Sequence, residues 1–187
     1  HSLLPLFEKE VVLEELLGNA PKVAEALEEH FAQKGTVSTE SWVETYFTDK
    51  FKDEPIELKL HGKMDTIIEK EGEVLVFDYK TREAMSENAI RGETKDTDGK
   101  YFRQLIFYKM LLAGNPRFKN SKISPALVFV KPDSKGRCPT IEIPIQESDV
   151  KQLKSQINLL IQSVWSGSFL TTICDDPTCK YCNQKKL

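Results

Sequence analysis

No stretch of this sequence comes near the roughly 20 consecutive apolar residues that a membrane span requires, so no spanning helix and no membrane partner are expected. The first residues, HSLLPLFEKE, also lack the pattern of a secretory signal. Cysteine is scarce: there are four, and three of them fall in the last fourteen residues. That distribution excludes a disulfide framework spread over a small secreted fold. An intracellular, cytoplasmic location is expected instead, with thiols that stay reduced or bind metal. Positive charge is not in excess either, with 26 Lys+Arg against 29 Asp+Glu and a net charge of −3. The chain is therefore no generic polyanion binder. A nucleic-acid partner would have to be held by a local basic surface, by metal or by other parts of a larger protein. What is present, 40% hydrophobic and 29% charged over 187 residues, fits one globular domain with a sizeable core.

The informative stretch is LKLHGKMDTIIEKEGEVLVFDYKT, from Leu58 to Thr81. Apolar residues recur at alternate positions before a polar turn, Glu69-Lys70-Glu71-Gly72, and the continuous run Val74 to Phe77 follows it. Together they predict a hairpin whose second strand is buried on both faces. That strand ends in Asp78-Tyr79-Lys80. Alternation puts Asp78 and Lys80 on one face. With the turn at 69–72, Ile68 is expected opposite Glu73 and Asp65 opposite Val76, which brings Asp65 to the same face. Two carboxylates converging at the end of a buried strand are costly unless compensated. Magnesium or manganese would compensate them through oxygen ligands, and the neighbouring lysine would orient an attacking water or stabilise a developing oxyanion. The plainer alternative is an Asp78–Lys80 ion pair at a strand terminus.

Elsewhere the pattern is mainly architectural. Helices are expected at 3–17 and 23–32, separated by Gly18-Asn19-Ala20-Pro21, and at 40–51, capped by Thr39. Residues 82–100 are polar and read as a long loop, either a substrate-contacting flap or a surface insertion. Tyr101 to Ala113 reads as an amphipathic helix that puts Gln104 and Tyr108 on one face. By spacing alone Tyr108 would be a core residue. Lys100, Arg103 and Lys109 add positive charge suited to phosphates or to solvent. Strands at 123–130 and 140–145 and a helix at 150–165 complete the chain. The fold class is thus α/β, a mixed central sheet flanked by helices with an N-terminal helical segment. The expected division is a helical segment over 1–55, a core over 56–170 and a cysteine-containing tail over 171–187.

Asp65 followed by Asp78-Tyr79-Lys80-Thr81 resembles the signature of the PD-(D/E)xK nuclease superfamily in the form of its RecB-like branch. Gly62-Lys63-Met64-Asp65 is similar to that branch's G-x-x-D element, and Gln104-Leu105-Ile106-Phe107-Tyr108 to its Q-x-x-x-Y motif. The stretch from Asn88 to Leu112 resembles the nuclease module at the C-terminus of some UvrD-type helicases. The resemblance covers residues 56–130 best. It implies a restriction-endonuclease-like core and a Mg²⁺- or Mn²⁺-dependent, exonuclease-like deoxyribonuclease acting on single-stranded DNA or duplex ends. It also implies a helicase core as partner, in recombination or repair. On this reading Asp65 and Asp78 hold the metal with the Tyr79 carbonyl, Lys80 acts on the water, and Gln104 and Tyr108 complete the site. In the family a histidine on an N-terminal helix often joins the metal. His1 begins an H-x-x-L stretch of that kind, or is left from a tag, whereas His30 and His61 read as surface residues. The alternative function is a catalytically inactive DNA-binding or structural module of the same fold.

The tail places Cys174, Cys179 and Cys182 in a C-x4-C-x2-C array, which suits an iron–sulfur cluster or zinc. In several RecB-like nucleases such a triad joins one N-terminal cysteine around a [4Fe-4S] cluster. Here no cysteine precedes the nuclease motifs, so Cys138 substitutes, the partner lies upstream in a longer protein, or the site is empty.

Overall fold

The computed structural model describes residues 5–32, 34–51, 53–174, 179 and 182. A five-stranded sheet runs in the order β1 (Thr36–Phe51), β2 (Glu54–Lys70), β3 (Glu73–Lys80), β4 (Lys122–Phe129), β5 (Thr140–Glu142). All neighbours are antiparallel except β3 and β4, which run parallel. The parallel pair needs a crossover, and two helices supply it: the short α2 (Glu87–Arg91) and α3 (Lys100–Gly114). The long α1 (Leu6–Ala32) and the last helix α4 (Glu147–Ser166) complete a mixed sheet flanked by helices.

The two faces of β3 sort its residues between two layers. Val74 and Val76 pack with Tyr108, Leu111 and Leu112 of α3, together with Val43, Met64 and Ile67. Leu75 and Phe77 pack on the other face with Leu27 of α1, Ile68, Ala126 and Val128. A further cluster joins Leu105 and Ile106 of α3 to Leu127, Phe129, Ile143 and Ile145.

Three sequence expectations fail in instructive ways. Residues 36–51 form a strand and not a capped helix. Val43, Thr45 and Phe47 turn inward while Trp42, Glu44 and Tyr46 are exposed. The 3.6-fold spacing of Trp42 and Tyr46 is therefore two outward steps of a period of two. The expected break at 18–21 is absent, because α1 continues through Pro21. A proline inside a helix costs about 3 kcal/mol or more, and the contacts of Val23 and Leu27 with the sheet hold the C-terminal half of α1 in place. The 82–100 loop contains α2, capped at one end by Ser86, whose hydroxyl accepts from Ala89 N, and at the other by Gly92.

The hairpin register also differs. Lys70 stands opposite Glu73 and Ile67 opposite Val76, because the turn is only Glu71-Gly72, with Gly72 at φ 73°. Asp65 was expected opposite Val76, so the shift is two residues. A shift of two keeps every side chain on its face, whereas a shift of one inverts them all. At the C-terminal side β5 is shorter than expected. Helix α4 starts at Glu147, where Gln146 and Asp149 form a reciprocal capping box. Among the described residues no helix is long and apolar enough to cross a membrane.

Candidate active site

Val74 and Val76 fix the face of β3 that meets α3, and a period of two carries Asp78 and Lys80 onto it. Asp78 is 4% exposed. Its Oδ1 accepts hydrogen bonds from the Tyr108 hydroxyl at 2.8 Å and from Gln104 Nε2 at 2.9 Å. Its Oδ2 is buried without a hydrogen bond, and the Lys80 ammonium stands 2.5 Å away as its charge partner. A carboxylate oxygen has two lone pairs, so the one that Lys80 does not face is left for a further cation. Lys80 Nζ donates instead to Gln104 Oε1 at 2.7 Å and lies 4.7 Å from the centre of the Tyr101 ring.

Asp65 reaches the site from β2, just beyond Thr66 and Phe77, the last paired residues of that ladder. Its Oδ2 accepts from Tyr79 N at 2.9 Å, so the carboxylate takes over where the backbone pairing stops. The Tyr79 hydroxyl meets Thr66 Oγ1 at 3.3 Å. Tyr108, adjacent to both carboxylates, has its phenolic pKa raised, first by burial and then by the charge and hydrogen bond of Asp78, with a smaller contribution from Asp65. It therefore stays a proton donor.

Helix α3 lies low on the sheet because Gly62 and Gly114 leave room for it. A Cβ on Gly62 would sit 2.8 Å from Leu111 Cδ1 and 3.6 Å from Phe107. One on Gly114 would collide with the Thr45 side chain. Lys109 Nζ ties α3 to the Ile145 carbonyl at 2.9 Å, and Arg103 donates to the Asp98 carbonyl.

The structure thus gathers Asp65, Asp78, Lys80, Gln104 and Tyr108 at one place. The donors are hard oxygens, the set that suits magnesium or manganese, and Asp78 Oδ2, buried with the Lys80 ammonium as its neighbour, has a lone pair that fits such an ion. The histidines go elsewhere. His30 packs edge-on against Phe77, ring centres 5.1 Å apart, on the face opposite Asp78, and is half-buried rather than a free surface residue. His61 is exposed beside Trp42 at 5.4 Å. His1 lies outside the described residues. The sequence reading overlooked Tyr101, whose i, i+3 spacing from Gln104 is a legible sign of a shared face.

The Sγ atoms of Cys174, Cys179 and Cys182 lie within 4.8 Å of one another. This is the only group of three or more potential histidine, cysteine or carboxylate ligands among the described residues. Cys138 is not in it. Although it follows the polar, glycine-containing stretch Lys135-Gly136-Arg137, Cys138 is only 2% exposed. It donates to the Val130 carbonyl at 3.6 Å and borders α1 near Lys22 and His30. Burial pushes its thiol pKa up.

No curated protein matches the chain. Among solved structures, one described as "Crystal structure of SSO0001" matches with 20% identity and a TM-score of 0.36, over 78% of this chain and 56% of that one. The chain thus spans little more than half the length of that relative. Against models of protein families, residues 5–187 match the PD-(D/E)XK nuclease superfamily. With that match running over nearly the whole length, the chain belongs to the PD-(D/E)XK nuclease superfamily.

Proposed function

We propose that this domain hydrolyses DNA phosphodiester bonds with the help of Mg²⁺ or Mn²⁺. The observation that carries the reading is Asp78: a buried carboxylate with one oxygen saturated by Gln104 and Tyr108 and the other facing only the Lys80 ammonium, with Asp65 close by. Asp78 and Asp65 would hold the ion, with the Tyr79 carbonyl as a further oxygen. When bound, the metal supplies charge that acidifies a water and neutralises phosphate oxygens. The chain's own groups do the rest. Lys80 is held by Gln104 and can place its ammonium against a developing oxyanion. Tyr108 keeps its proton and fixes the orientation of the Asp78 carboxylate.

The finer assignment is a RecB-like, exonuclease-like domain of a UvrD-type helicase–nuclease in recombination or repair, working on DNA in the cytoplasm. The motif order Gly62…Asp65…Asp78-Tyr79-Lys80…Gln104…Tyr108 supports it. So does the exposed apolar surface of α1 (Phe7, Val11, Leu13, Leu17) and α4 (Leu159, Leu160, Val164, Trp165), which is of the kind that a larger assembly covers. The cysteine triad is proposed to bind zinc or a [4Fe-4S] cluster, with its remaining ligand from outside the described residues.

Incubating the chain with linear single- and double-stranded DNA, with and without Mn²⁺, tests the reading. Cleavage is expected only with the metal, and Asp78→Asn is expected to abolish it. That variant also leaves Lys80 without its charge partner, so a stability loss of about 2 kcal/mol is expected in metal-free buffer. Wild-type cleavage rates in Asp78→Asn would end the assignment.

A further inference from the structure

The Tyr101 ring sits among three cations. Lys80 Nζ is 4.7 Å from its centre, Lys100 Nζ 5.4 Å and Arg82 Cζ 6.0 Å. Lys80 is neutralised by Asp78. Arg82 and Lys100 are exposed and form no ion pair among the described residues. An aromatic face attracts cations without cancelling their charge, so Tyr101 can hold like charges together that would otherwise repel one another. Arg82, Lys100 and Tyr101 line a groove of about 400 Å³ with Gly99, Met85 and Ile90. Helix α3 opens onto it with a glycine at its cap. Asp96 and Asp98 border the groove as well, with Asp98 accepting from the Lys100 backbone N–H at 3.1 Å, so the positive side of the groove is the one at the Tyr101 ring.

We infer that Arg82, Lys100 and the Tyr101 ring form a subsite for DNA backbone phosphates next to the one that is cut. The subsite deepens the nuclease reading and rests on it. Lys80 joins the two places: its ammonium touches Asp78 on one side and Tyr101 on the other, so a strand whose scissile phosphate meets Lys80 brings a neighbouring phosphate to Lys100 and Arg82. In a chain of net charge −3, this patch gives the acidic protein a place to hold a polyanion.

The test separates binding from cleavage. Anisotropy of a fluorescein-labelled single-stranded oligonucleotide, titrated in EDTA across a range of salt, reads the number of phosphates neutralised. The double variant Arg82→Ala/Lys100→Ala is expected to lower the slope of log affinity against log salt by roughly 1.4, at about 0.7 per single-strand phosphate. Lys151→Ala/Lys154→Ala, an equal charge loss on exposed residues of α4, is expected to leave it nearly unchanged. Tyr101→Phe, which keeps the ring, is expected to behave as wild type. Equal slopes for the first variant and wild type overturn the subsite, as does an equal drop in the α4 control. Cleavage in Mn²⁺ is scored on its own: a cutting wild type with an unchanged slope in the variant rejects the subsite and keeps the nuclease. A lowered slope without any wild-type cleavage supports the subsite and rejects the nuclease.

Discussion

Gln104 bridges Lys80 and Asp78: its Oε1 accepts from the ammonium at 2.7 Å while its Nε2 donates to the carboxylate at 2.9 Å. Neither end of the amide can be exchanged, because lysine has no acceptor and an ionised carboxylate has no donor. The residue therefore sets how far apart the two charges stand. Gln104→Glu should keep the link to Lys80 but place a second anion against Asp78. The two carboxylates repel, so the melting temperature in metal-free buffer should fall and should recover on adding Mn²⁺, which binds the folded chain between them. An unchanged melting temperature in Gln104→Glu would show that Gln104 does not govern the contact between Lys80 and Asp78.

On the proposed reading, Lys80 acts on the reacting groups rather than on the ion. Lys80→Ala should still bind Mn²⁺ in a calorimeter but lose roughly 10²–10³ in turnover, the usual cost of removing one such electrostatic group. Activity within a factor of a few of wild type would reduce Lys80 to an ion-pair residue.

Tyr108 makes stability depend on alkaline pH. Its pKa is raised from the ordinary 10.0 in the folded chain, so the folded chain keeps a proton that the unfolded chain gives up. The group's contribution is complete below about pH 10 and is lost as pH climbs beyond it. Tyr108→Phe lacks that proton. Above pH 10 its unfolding free energy should fall less steeply, by up to about 1.4 kcal/mol per pH unit. Parallel curves from chemical denaturation of the two proteins would contradict this.

The thiol cluster should behave independently of Cys138. In a zinc competition against a chromophoric chelator, Cys179→Ser should weaken binding at least tenfold, because it removes one of three gathered thiolates. Cys138→Ser should leave zinc affinity unchanged, since that thiol is buried beside α1. Loss of zinc in Cys138→Ser would mean that the tail can reach it.

The site was more legible than the fold around it. Asp65, Asp78, Lys80, Gln104 and Tyr108 could be grouped because strand and helix periodicity each put them on one face, and a register error of two residues does not disturb a period of two. Residues 36–51 were not legible in the same way. Trp42 and Tyr46 satisfy a helical spacing, and only the abundance of Thr, Val and aromatic residues from Thr36 to Thr48 argues for a strand. Pro21 gave a false stop, since local propensity at one residue yields to the packing of Val23 and Leu27 six or fewer positions away. The depth of Cys138 depends on α1 lying across β4 and β5, a long-range fact with no local signature.

Gly62 bears no functional group, yet it sets the height of the helix that delivers two. A Cβ there would sit 2.8 Å from Leu111 Cδ1, so either the Leu111 side chain, fully buried above it, gives way or α3 is lifted like a hinge on a shim. Gln104 and Tyr108 ride on that helix, and their bonds to Asp78, at 2.9 and 2.8 Å, leave little slack. The first letter of the G-x-x-D element is thus a clearance between two parts, and the last is a charge. Damage at the clearance would look, from the chemistry alone, like damage at the charge.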